Sequence, residues 1–134
     1  MKLQEIFDAA SVHLMGMDGP SLDMDSDACV YRGQDDDYEF NGQKCAVGLF
    51  IKDEHYDLEL EGQGISGGQA VADAVAASWG QDDLTVAQIS LLADLQDAHD
   101  HGTRGRVWSD YIIASLDKVA DKHHLRFDPE GASA

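Results

Sequence analysis

The chain has little cysteine, few cations and no long apolar run. Of its 134 residues only Cys29 and Cys45 carry thiols. They do not form a C-x-x-C pair, so neither a metal knuckle nor a dithiol redox motif is written here. In a reducing cytosol both are expected as free thiols, and a free cysteine serves most simply as a small buried hydrophobe. No apolar stretch approaches the roughly 20 residues of a membrane span. The first residues, Met1 to Glu5, lack the apolar core of a signal peptide, which predicts a protein that stays in the cytoplasm where it is made.

Lys and Arg together number nine, against 26 acids, 20 of them Asp, for a net charge of −17. Such a field repels nucleic acid and anionic membrane and attracts a basic partner. Three explanations of the charge stand side by side: mimicry of a nucleic-acid backbone aimed at a host enzyme, solubility, and adaptation to a salty cytoplasm. The acids run along the whole chain and are not gathered in one tail.

Apolar spacing predicts four or five helices. Leu3, Ile6, Phe7, Ala10 and Leu14 form one stripe of a helix over 2–15, with Gln4, Glu5, Asp8 and Ser11 on its wet side; Gly16, Gly19 and Pro20 end it. A short helix is expected over 44–51 and a further turn over 53–60. Residues 69–79 form a helix with Val71, Val75 and Trp79 on one side and Ala72 and Ala76 beside them, stopped by Gly80. Thr85 and Gln88 write a capping box for a helix over 85–99. Its face carries Ile89, Leu92, Ala93, Gln96 and His99, widened by Val86, Leu91 and Leu95. The last helix, over 108–123, buries Ile112, Leu116, Val119 and Ala120. Lys118, Lys122, His123 and His124 suit its negative end. Leu125 and Phe127 are expected to fold back onto the core.

Residues 28–33 and 37–40 favour strand, with Gly33 to Asp36 as the turn between them. The expected fold is therefore α+β and mainly helical, with one small β-hairpin, in a single domain over 1–128 followed by a frayed tail over 129–134.

The order of several short motifs resembles a family of small, uncharacterised bacteriophage and prophage proteins. The motifs are Cys29-x-Tyr31-Arg32-Gly33, Lys44-Cys45-Ala46-Val47-Gly48, Asp53-Glu54-x-Tyr56-Asp57 and Leu92-x-x-Leu95-Gln96-x-x-His99-Asp100. The opening Leu3-Gln4-x-Ile6-Phe7 fits as well. The likeness spans about 2–62 and 91–127; the acidic insert from Asp35 to Phe40 is longer than in the family, and Lys52 stands where a proline often does. What the resemblance implies is setting: an accessory protein in a host cytoplasm that acts by binding a host factor.

Cys45 is the best nucleophile in the sequence, since a helix start and Lys44 would favour its thiolate. His99 would be its base and Asp100 or Asp97 the orienting acid. The plainer alternative makes His99 a hydrogen-bonded core residue. Cys29, Cys45, His99 and His101 could ligate zinc, with His99-x-His101 the close ligand pair such a site needs only if the helix ends between them. Asp23, Asp25 and Asp27 start like a calcium loop, yet Ala28 and Gln34 occupy the positions of its glycine and bidentate glutamate. Gly62, Gly64, Gly67 and Gly68 lack the Gly-Lys-Ser/Thr of a phosphate loop. No metal and no cofactor is expected. Arg32 is read either as an anion contact for a small ligand, with Arg104 and Arg106, or as an ion-pair partner for nearby Asp. The leading expectation is a non-enzymatic binding protein. Its surface includes Tyr31, Arg32, Asp35, Asp36 and Asp37, and its partner is a host protein with a basic face. A Cys45–His99 hydrolase and a nucleotide-binding sponge are the alternatives.

Overall fold

Helices account for the architecture. The computed structural model describes residues 2–17, 46–56, 65, 69–100 and 106–128. Along these run α1 (Leu3–Met15), α2 (Gln69–Ser78), α3 (Val86–Asp100) and α4 (Arg106–Lys122), with two 3₁₀ turns, Gly48–Phe50 and Asp53–His55, between α1 and α2. The mainly helical expectation holds. The small β-hairpin over 28–40 lies outside the described residues, among which there is no strand.

Helices α1, α3 and α4 pack on one another in all three pairings. The α1 stripe supplies Ile6, Phe7, Ala10 and Leu14, each fully buried. Ser11, expected on the wet side, is buried too. Its hydroxyl donates to the Phe7 carbonyl at 2.7 Å, which satisfies the group inside its own helix. From α3 come Leu91, Leu92 and Leu95, and from α4 Trp108, Ile112 and Leu116. The Trp108 indole N–H donates to the Leu14 carbonyl at 2.9 Å and so ties the start of α4 to the end of α1.

The capping box of α3 forms as read. The Gln88 N–H donates to Thr85 Oγ1 at 3.0 Å, and the Thr85 N–H donates to Gln88 Oε1 at 2.9 Å. Gln81 adds a side-chain bond to the same Gln88 amide, which closes the connection from α2. Val86 does not widen the apolar face. It is 85% exposed, while Gln88 in the same turn is buried.

Helix α2 packs chiefly on the Asp53–His55 turn. Val71, Ala72, Val75 and Ala76 are buried as expected. Two specific ties hold its far end. The Lys52 N–H donates to Ser78 Oγ at 2.9 Å while that hydroxyl donates to the Ala74 carbonyl at 2.8 Å. The rings of Phe50 and Trp79 meet edge to face at 5.3 Å. Of the apolar run expected as a short helix over 44–51, the described part is one 3₁₀ turn, with Val47 before it and Ile51 in extended conformation after it. The next expected turn is described as Asp53–His55, and 57–60 lie outside the described residues.

Gly80 ends α2 at φ 72°, with the Gln81 N–H bonded to the Ala76 carbonyl at 2.8 Å and the Gly80 N–H to the Ala77 carbonyl at 3.1 Å. That is a Schellman cap. Helix α4 ends in the same way around His124, at φ 58°, with the Leu125 N–H on the Ala120 carbonyl at 2.8 Å. The chain then turns back. The Gln4 amide exchanges two hydrogen bonds with the Arg126 peptide, at 2.9 and 3.0 Å, and Phe127 meets Phe7 edge to face at 5.5 Å.

Candidate functional site

Helix α3 carries the chemistry-bearing residues that can be placed. His99 lies in its last turn with 0% of its surface exposed. Gln96, one turn earlier, faces the same way. The Val47 N–H donates to Gln96 Oε1 at 3.2 Å, which leaves the amide nitrogen facing His99 Nδ1 at 3.3 Å. An amide oriented by a backbone donor in this way offers its own N–H to Nδ1, and the neutral ring then carries its proton on Nε2. The Trp108 ring closes one side, edge on to the imidazole at 6.3 Å, and packs in turn beside Tyr111. The Tyr111 hydroxyl donates to the Ala98 carbonyl at 2.6 Å. The arrangement fixes the imidazole and shields it from water.

Of the residues singled out in the sequence, His99 is therefore placed in the core. Asp100 is the last residue of α3. Cys29, Tyr31, Arg32, Asp35, Asp36, Asp37, Cys45, His101 and Arg104 lie outside the described residues. The Gln96 bridge connects the His99 ring to the chain at Val47, two residues after Cys45 in the sequence. No group of three or more His, Cys, Asp or Glu side chains that could hold a metal ion occurs among the described residues.

A second polar cluster joins α3 to the end of α4. Asp94 Oδ2 accepts from the Lys122 ammonium at 2.9 Å and from His123 Nε2 at 2.6 Å. His123 is thus more than a partner for the helix dipole. Partial burial pushes the Asp94 carboxyl up, but the hydrogen bonds and positive charges of Lys122 and His123 outweigh it and hold the group below its usual range. Beside the cluster lies an open hollow of about 300 Å³ between α3 and α4, lined by Asp97, Tyr111, Ser115 and Lys118 among others. Sequence spacing carries no signal for Asp94, because its partners stand on another helix. Gln96 did carry one: an amide on an otherwise apolar face, one turn before a histidine.

The chain matches no family model, no curated protein and no solved structure.

Proposed function

We propose that the protein acts by binding, as a phage-type accessory protein whose acidic surface recognises a host protein with a basic face. The placement of its carboxylates carries this reading. Glu5 and Asp8 on α1, Asp82 and Asp83 before α3, and Asp110 and Asp117 on α4 are exposed. The phage setting rests on the motif order around Tyr31-Arg32, Cys45 and His99. No described helix is long and apolar enough to cross a membrane, in keeping with a surface that anionic lipid would repel.

The test is capture from bacterial lysate on the immobilised full chain, with salt raised from about 0.05 to about 0.5 M. A basic protein whose affinity falls steadily across that range supports the reading. Salt-independent capture, or capture of acidic proteins alone, removes the carboxylates as the recognition element.

A second reading, a small hydrolase in which His99 serves Cys45 as base, requires His99 to release the Nδ1 lone pair that accepts from Gln96. Alkylation of Cys45 by iodoacetamide in the folded protein well below about pH 8 would support it. A thiol inert until denaturant is added would leave the imidazole as core material.

A further inference from the structure

The segment that follows α4 crosses between α1 and α4 and leaves a hollow on each side of Phe127. On the α1 side the hollow measures about 560 Å³ and is bordered by Asp8, Val12, Arg126 and Asp128. On the α4 side it measures about 250 Å³ and is bordered by Asp110, Ile113, Ala114 and Asp117. Phe127 lines both. Val12 is 53% exposed and Ile113 37%, and apart from Val86 they are the large apolar side chains most open to solvent among the described residues.

The pattern on each helix is regular. Asp110, Ile113, Ala114 and Asp117 stand at i, i+3, i+4 and i+7, one exposed stripe with an apolar middle and a carboxylate at each end. On α1, Asp8 and Val12 repeat half of it. Asp110 and Asp117 hold no ion pair among the described residues. An apolar strip left in water beside unneutralised carboxylates is the complement of a segment with the opposite arrangement.

We infer that this groove docks a basic amphipathic helix of the partner, its apolar residues seated between Val12, Phe127 and Ile113 and its Lys or Arg side chains set against Asp8, Asp110 and Asp117. The inference rests on the binding reading above and names the surface that performs it. Anionic lipid and nucleic acid are turned away by the same carboxylates. A second copy of this chain, paired two-fold on the groove, would bring those carboxylates onto one another. Anchors at i, i+3 and i+4 with flanking cations are the usual form of a helix in a groove.

The full chain is titrated into a fluorescein-labelled synthetic peptide of Leu, Ala and Lys with all leucines on one helical face, read by anisotropy. A peptide of the same composition with the leucines scattered is the control. The facial peptide is expected to bind about tenfold or more tightly than the scattered one. Val12→Ser with Ile113→Ser should remove most of that preference, and Val86→Ser should leave it unchanged; circular dichroism confirms that each variant is folded. Asp110→Asn with Asp117→Asn should weaken the facial peptide and flatten its salt dependence. Equal binding of both peptides, unmoved by the serine variants, overturns the groove and leaves the acidic-surface reading standing. Binding of neither peptide overturns both.

Discussion

Helices α1, α3 and α4 are held together differently from α2. In the three-helix body, burial is a matter of volume: Phe7, Leu14, Leu92, Leu95, Trp108 and Leu116 are all closed off from solvent. Helix α2 turns valines and alanines inward and relies on two particular contacts, the Ser78 hydroxyl on Lys52 and the Trp79 edge on Phe50. Large side chains bury more area per ordered residue than small ones. The body should therefore set the global stability, and α2 should open at lower cost, as a separate cooperative unit.

Trp108→Ala probes the body most severely. It removes the largest of the fully buried side chains and leaves the Leu14 carbonyl without its indole donor. A loss of about 4 kcal/mol in urea unfolding is expected, with every helix losing hydrogen-exchange protection together. A loss below about 1 kcal/mol would mean that the body does not depend on its large side chains.

Trp79→Ala tests the other half. Trp79 is half-buried, so about 2 kcal/mol is expected. Exchange should rise in α2 while α1, α3 and α4 stay protected. Uniform loss across all four helices would dissolve the distinction, because it would show α2 to be as integral as the rest.

The Asp94 cluster lies inside the body yet behaves like a surface contact. Its carboxyl is held below the ordinary value of 3.8, so the charged form is favoured by folding. That contribution is present above 3.8 and is lost as pH falls through the lower folded value. Asp94→Asn should cost about 1 kcal/mol near neutral pH. The gap between variant and wild type should close in acid, below the ordinary value. A gap unchanged in acid would show that the carboxylate's charge contributes nothing.

What could be read in advance was whatever is local. The α1 stripe, the Thr85–Gln88 box and the Gly80 stop each arise within a few residues, and each stands as read. Ser11, Val86 and Asp94 escaped: the burial of Ser11 and the exposure of Val86 are set by how the helices pack, and the Asp94 carboxylate meets cations from the end of α4. His99 was legible as a core residue on an apolar face. Its Gln96 link to Val47 was not, since it joins segments far apart in sequence. The groove at Phe127 depends on where the returning chain crosses two helices, and no periodicity encodes that.

The smallest test compares two helix ends with the same backbone shape. Gly80 and His124 occupy the same left-handed position, but only glycine does so without a penalty from Cβ. A Cβ added at Gly80 would meet no atom within 4 Å, so Gly80→Ala isolates the backbone cost, about 1 kcal/mol of lost stability expressed in α2 exchange. His124→Gly reverses the exchange of residues at the end of α4. It relieves the same strain while giving back some chain entropy in the unfolded state, for a net gain of about 0.5 kcal/mol in global unfolding. His124 is exposed, so little packing is lost with its ring. If His124→Gly destabilises instead, the imidazole makes a contribution at the helix end larger than the strain, and the body owes part of its stability to a terminus rather than to volume alone.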